Sequence, residues 1–210
     1  MLRERAGTSG KTILPLPLAL DLSRFSSGSF ARERDVVLFP GAFDADFNRD
    51  ALHYMLGDIW PLVRERNSGA SLEIVGRGID ERSRAMAGAG VVFVGSVEDI
   101  RPYLGRCSAL VLPLRFGGGV RIRMMEASAM AAPVVSTPVG VAGMGLRAGR
   151  EYLEAANPRK MADAISRLLE EPEEAARLGR AARAWAEGTI SMETYPDRLD
   201  ALIAAVVSRR

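Results

Sequence analysis

Residues 109–137 read ALVLPLRFGGGVRIRMMEASAMAAPVVST. Three pieces of different character follow one another. Leu110-Val111-Leu112-Pro113 is a short, continuously apolar run, as expected of a strand buried on both faces. Gly117-Gly118-Gly119 breaks the chain, and from Val120 to Ala131 apolar residues recur at helical spacing. Pro133-Val134-Val135-Ser136-Thr137 is a second apolar strand. Strand, glycine turn, helix and strand make the unit of a parallel sheet with helical crossovers.

The same unit recurs outward in both directions. Upstream, strands are predicted at Val36–Phe39, Leu72–Val75 and Val91–Val94, closed by Gly41, Gly76 and Gly95. Asn48 is the expected N-cap of a helix carrying Leu52, Met55, Leu56, Ile59, Leu62 and Val63, which Pro61 interrupts. Shorter helices are expected at Glu81–Ala87 and Asp99–Arg106, with Glu98 and Asp99 as simple capping residues. Downstream come a marginal strand at Tyr152-Leu153 and helices at Pro158–Glu170, Glu173–Glu187 and Thr194–Ser208. The fold class is therefore α/β, a doubly wound parallel sheet with C-terminal helices. Its ligand site is expected outside the carboxyl ends of the strands. The glycines at 41, 76, 95 and 117–119 fall on that edge. They serve either close approach of backbone to a ligand or tight turns.

The organisation read from composition is an extended N-terminal segment (1–34), the α/β domain (35–190) and a C-terminal helix (191–210). The chain has 210 residues, 48% of them hydrophobic, enough to fill a core. No run approaches the ~20 apolar residues of a membrane span. Net charge is +2, and its arginines are interleaved with acids, so no nucleic-acid partner is expected. One cysteine, Cys107, excludes an internal disulfide, and its setting is that of a small buried hydrophobe. The single histidine, His53, reads as a helix face residue. The stretch Gly7-Thr8-Ser9-Gly10-Lys11-Thr12 is not a phosphate loop: Arg5 stands where a glycine is needed, and Pro15 and Pro17 forbid the following helix.

Chemistry concentrates on the 113–127 segment. The amides of Gly118, Gly119 and Val120, at a helix N-terminus, suit a phosphate. Arg121 and Arg123 fall in the predicted first turn, where a cation is unfavourable unless an anion binds nearby. Glu126, three residues after Arg123, shares its face and is placed to accept hydrogen bonds from ribose hydroxyls. An ordinary Arg123–Glu126 surface pair is the competing reading.

The segments VVLFPGAFDADFNRDALHYMLGDIWPLV, LEIVGRG, VVFVGSVEDIRPYLGRCSALVLPL and RFGGGVRIRMMEASAMAAPVVSTPVGVAGM resemble the C-terminal, donor-binding domain of GT-B glycosyltransferases of the broad retaining family numbered four. The likeness is greatest to a bacterial exopolysaccharide branch reading P-L-x-x-G-G-G-x-R-x-K-x-x-E-A-x-A-x-G-x-P-V-V. It spans residues 36–190, and LPLPLALDLSRF (14–25) resembles the segment joining the two halves of such enzymes. The resemblance implies a Rossmann-like half that binds a nucleoside-diphosphate sugar for retaining, hexosyl-type transfer to a glycan or lipid-linked acceptor. It implies no cofactor and no metal. Glu126 and Arg123 become the expected catalytic residues. Gly118, Gly119, Val120, Arg121, Gly41 and Asn48 become expected substrate contacts, with the Val97 backbone at the base edge.

Departures accompany the likeness. Of the family's Glu-x7-Glu, the second place is Glu126 and the first is Gly118. The branch's Lys is Arg123, its post-helix Gly is Ala131, and Asn48 and Arg49 stand where many members carry an Arg…Lys pair. The resemblance covers the donor half only, so an N-terminal acceptor domain or a partner subunit is expected. A cytoplasmic setting, with peripheral contact at the inner membrane face, goes with it. The stripe Leu199, Leu202, Ile203, Val206 and Val207 is expected to pack on the domain, with homodimerisation as the alternative. Two other functions compete: a non-catalytic nucleotide-sugar-binding module, and a dinucleotide oxidoreductase. The latter rests on Gly76-x-Gly78 after a strand, with Glu98 or Asp99 about 20 residues on; its third glycine position is Glu81, and a strand ends at Gly95 before the acid.

Overall fold

Six short runs, apolar in most positions, form one parallel sheet in the computed structural model, which describes residues 18–26 and 30–207. The strands are β1 (Val36–Pro40), β2 (Ser71–Val75), β3 (Val91–Gly95), β4 (Ala109–Leu112), β5 (Val134–Ser136) and β6 (Leu153–Glu154). Their order is β3-β2-β1-β4-β5-β6, so the direction of winding reverses between β1 and β4. Val37 is the register pivot, opposite Leu72 on one side and Ala109 on the other. The sequence-based strands agree with these to within a residue or two. The Gly7–Thr12 stretch, rejected above as a phosphate loop, lies outside the described residues.

Alternation within each strand divides the core. Val37, Phe39, Ile74 and Val111 point to one face, where they meet Met55, Trp60 and Ile165. Val36, Leu38, Leu110 and Leu112 point to the other, against Leu104, Met124 and Ala127. The first face is covered by α1 (Asp46–Tyr54), α2 (Trp60–Arg66) and α6 (Pro158–Glu170). The second is covered by α4 (Arg101–Arg106) and α5 (Ile122–Ala129). Helix α3 (Glu81–Ala85) joins β2 to β3, and α7 (Pro172–Thr189) packs along α5. Helix α8 (Tyr195–Val207) follows.

Three local expectations need correction. Asn48 is not an N-cap: α1 starts earlier, at Asp46, behind the extended residue Ala45. Asn48 Nδ2 instead donates to Ala42 O (2.9 Å), bracing the loop after β1. Pro61 does not break its helix. The chain widens into a π-helical stretch at Met55–Ile59, with Trp60 N–H donating to Met55 O, and this accommodates a residue with no N–H and a ring that a regular turn would crowd. Helix α4 begins at Arg101 rather than Asp99, whose Oδ1 accepts from Arg101 N (2.9 Å).

The described part of the N-terminal segment is tied to the domain. Leu20 N donates to Ile190 O (2.7 Å) and Leu20 O accepts from Met192 N (2.9 Å). Leu22 is buried with Met125, Ala129 and Ile190. Residues 20–25 thus form a strap beside α5. Helix α8 leaves Leu199, Ile203 and Val206 exposed rather than packed on the sheet domain. No helix among the described residues is long and apolar enough to cross a membrane.

Candidate nucleotide site

A cavity of about 480 Å³ opens at the carboxyl edge of the sheet beside the reversal between β1 and β4. In open α/β sheets, ligands bind at such a point. The floor is backbone. Gly41 N donates to Val75 O (2.9 Å) and Gly76 N to Gly95 O (2.8 Å), tying the ends of the first three strands together. At Gly76, φ is +146°, and a Cβ there would stand 1.7 Å from Gly41 O. Only glycine fits that crossing.

One wall comes from α5. Arg123 Nη1 donates to Glu126 Oε2 (2.7 Å), and both residues line the cavity. Glu126 is the more sheltered, its side chain 16% exposed against 42% for Arg123. Oε1 of Glu126, a residue that lines the cavity, has no hydrogen bond among the described residues, so the pair leaves one carboxylate oxygen unspent. No side chain caps the helix N-terminus; Met124 N donates to Arg121 O (2.9 Å), and the Ile122 and Arg123 amides, without a hydrogen bond among the described residues, keep their capacity for an anion.

The opposite wall is the loop from β3 to α4, Ser96 to Arg101, which includes Val97. Here Arg101 grips Asp99 with both forks (2.7–3.0 Å). That bond, with a smaller contribution from the charge of Arg24, holds the Asp99 carboxyl below the usual carboxylate range. The Arg101 guanidinium also donates to Arg24 O (2.8 Å), fastening the strap to this wall. On the floor side, Arg77 is paired with Asp44 (2.9 Å).

The structure therefore brings together Gly41, Val97, Arg123 and Glu126 of the residues expected from sequence. It does not bring Asn48, Gly118, Gly119, Val120 or Arg121 to this cavity. Helix α5 starts two residues later than expected, because Gly117 (φ 119°) and Gly119 (φ 88°) hold the loop in a left-handed course. Arg121 is its N-cap residue, not a first-turn residue. Its guanidinium lies over the Phe47 ring (5.8 Å) and donates to Gly118 O (3.0 Å). It pins the glycine loop, while Val120 projects outward, 59% exposed. Gly119 and Val120 border a separate groove with Met125 and Trp185. The strap residues Leu20, Asp21, Arg24 and Phe25 were absent from the sequence-based site, yet all line the cavity. In the sequence they were marked only as part of LPLPLALDLSRF (14–25), which resembles the segment joining two halves, and not as site residues; in the structure Asp21 caps the turn at Leu22–Arg24.

Cys107 and His53 are not partners. Cys107 is fully buried, which pushes its thiol up to about 12. His53 Nε2 lies 3.1 Å from Ser83 Oγ, on the other side of the sheet.

Residues 34–171 match the family model for glycosyl transferases group 1. The chain belongs to that family. The solved structures similar to this group 1 glycosyltransferase chain agree in fold. Sucrose-phosphate synthase from Thermosynechococcus elongatus superposes with a TM-score of 0.76 at 20% identity, over 100% of this chain and 56% of that one. HepE from Anabaena, crystallised with UDP and glucose, gives 0.72 at 13% identity, over 89% and 55%. A glycosyltransferase from Rickettsia africae gives 0.75 at 12%, over 93% and 57%. The chain thus spans about half the length of these structures. Its fold is the Rossmann-like half of the GT-B architecture. A comparison with curated proteins finds no match.

Proposed function

We propose that this domain binds a nucleoside-diphosphate sugar and serves as the donor-binding half of a retaining, hexosyl-type glycosyltransferase acting on a glycan or lipid-linked acceptor. The observation that carries the proposal is the placement of Arg123 and Glu126, in the first two turns of a helix with no side-chain cap, at the wall of the cavity beside the sheet's reversal. The UDP held by HepE supports the ligand class. In this reading the free Oε1 of Glu126 accepts from the ribose hydroxyls, and Oε2 holds Arg123 in place. The first-turn amides of α5 and Arg123 meet the diphosphate. As the glycosidic bond breaks, negative charge grows on the leaving diphosphate, and these fixed donors stabilise it. The acceptor half comes from a further domain or a partner subunit, in a cytoplasmic setting.

One observation favours a second reading, a nucleotide-sugar-binding module without catalysis: Gly118 occupies the place eight residues before Glu126 where the family motif has its first Glu. Hydrolysis of a nucleotide sugar by the chain separates the two. Calorimetry with UDP and GDP tests the shared part. Glu126→Gln should weaken binding about tenfold, the low end for loss of charged hydrogen bonds. Absence of binding by the wild-type chain, or an unchanged affinity in the variant, would refute it.

A further inference from the structure

Eight charged residues line the cavity, and most of them are already engaged with protein groups. Arg101 is bound to Asp99, Arg123 to Glu126 and Arg77 to Asp44. Asp21 accepts from Ser23 N (3.1 Å) and from its hydroxyl. Two remain. Among the described residues, the side chains of Arg24 and Glu98 make no hydrogen bond or ion pair.

Both stand at the same end. Glu98 follows Val97 in the β3–α4 loop. Arg24 is fastened to that loop by the Arg101 bond to its carbonyl (2.8 Å). Phe25, next to it, packs with the cluster that includes Val97, Ile100 and Tyr103. Its own carbonyl accepts from Arg183 Nη1 (2.7 Å), so the strap is held on two sides. Glu126 and Arg123 lie across the cavity on α5. On the nucleotide reading above, a ribose at Glu126 and phosphates at the α5 N-terminus leave the opposite wall, with Arg24 and Glu98, for the base.

Resting on the nucleotide reading above, we infer that Arg24 and Glu98 read the base, Arg24 donating to a ring carbonyl and Glu98 accepting from the adjacent ring N–H. The chemistry is complementary in kind. Arginine offers only donors, and a carboxylate only acceptors. A lactam edge, C=O beside N–H, meets both, and uracil and guanine carry one. Cytosine and adenine present an amino group and a bare ring nitrogen at the same two places. With the ribose fixed, each would set a donor against arginine and a lone pair against carboxylate. Both side chains are exposed at the rim of the cavity, so the mismatch costs the charged hydrogen bonds themselves, about tenfold in affinity. The strap therefore acts as a specificity element supplied from outside the strand–helix repeats.

Isothermal calorimetry of UDP, GDP, CDP and ADP against the whole chain tests this, with Arg24→Gln and Glu98→Gln alongside and melting curves for each. The expected result is a preference of at least tenfold for UDP or GDP over CDP and ADP, and comparison of UDP with GDP shows which oxo base is taken. Each variant should shrink that preference toward parity without lowering the melting temperature. A wild-type preference for CDP or ADP overturns the inference. So does equal weakening toward all four nucleotides, which would make Arg24 a phosphate contact, and so does no change at all. If the wild-type chain binds none of the four, the nucleotide reading itself fails.

Discussion

Helix α5 ends in a turn that a left-handed residue must close. Ala132 N donates to Ala127 O (2.9 Å) and Ala131 N to Ser128 O (3.1 Å), the paired bonds of a Schellman motif. The residue in the left-handed position is Ala131, at φ 52°, where the family branch carries glycine. An L-residue there costs about 1–2 kcal/mol. The turn cannot relax away from it. Arg32 donates to Ala131 O, and α7 approaches so closely that a Cβ at Gly179 would lie 2.1 Å from that same oxygen. Ala131→Gly removes the strain and adds back ~0.4–1 kcal/mol of unfolded-chain entropy. The net expectation is a gain of about 0.5–1 kcal/mol, or a rise of roughly 1–4 °C in melting temperature for a chain of this size. Ala131→Val, branched at Cβ, should move stability the other way by at least ~1 kcal/mol. Urea titration with matched m-values measures both. If Ala131→Gly is neutral or destabilising while Ala131→Val is tolerated, the strained helix end is not there.

Gly76→Ala should be the most damaging small substitution, since its methyl would meet the Gly41 carbonyl 1.7 Å away; a folded variant melting within a few degrees of wild type would contradict the cavity floor. Cys107, fully buried with its thiol raised to about 12, should resist iodoacetamide at pH 8 in the native chain and react fully in urea; native labelling would refute its burial. Asp99 has a carboxyl pKa lowered chiefly by its bond to Arg101, so its contribution to stability is full above the unfolded carboxylate value of ~3.9 and is lost as pH falls through the lower folded value. Between about pH 4 and pH 2, the urea midpoint of Asp99→Asn should therefore fall less steeply than that of wild type; parallel curves would remove Asp99 from the acid response.

Strands buried on both faces carry their own signal, because a run such as Leu110–Leu112 has no polar side to misplace, and these elements were legible to within a residue or two. Helix starts were less so. At α1 a capping rule selects Asn48, but the extended backbone of Ala45 lets the helix begin at Asp46 without any side-chain cap. At α5 the start depends on the left-handed course of Gly117 and Gly119, which glycine permits but does not require. The candidate site divides in the same way. Glu126 and Arg123 follow from spacing along one helix. The strap was read as a joining segment but not as part of the site, because its place depends on pairing Leu20 with residues near the other end of the chain, a contact no local pattern encodes.

Two arginines, separated only by Ile122, show why the helix boundary matters for function. Spacing alone made Arg121 and Arg123 equivalent cations at one helix end. Arg121 sits before the first helical residue, and its guanidinium folds back onto Phe47 and the Gly118 carbonyl. Its charge is spent on holding the loop. Arg123 lies within the helix and reaches the cavity, restrained by Glu126. On the reading proposed above, this division leaves one cation, Arg123, at the ligand wall, while Arg121 holds the glycine loop that borders the separate groove. It also separates the two by assay. Arg123→Gln should weaken diphosphate binding with little loss of stability, because its ion pair is partly exposed and such pairs contribute only ~0–1 kcal/mol. Losing Arg121 removes a loop anchor, so its effect on binding should come together with greater mobility of residues 117–120, seen as faster amide exchange there.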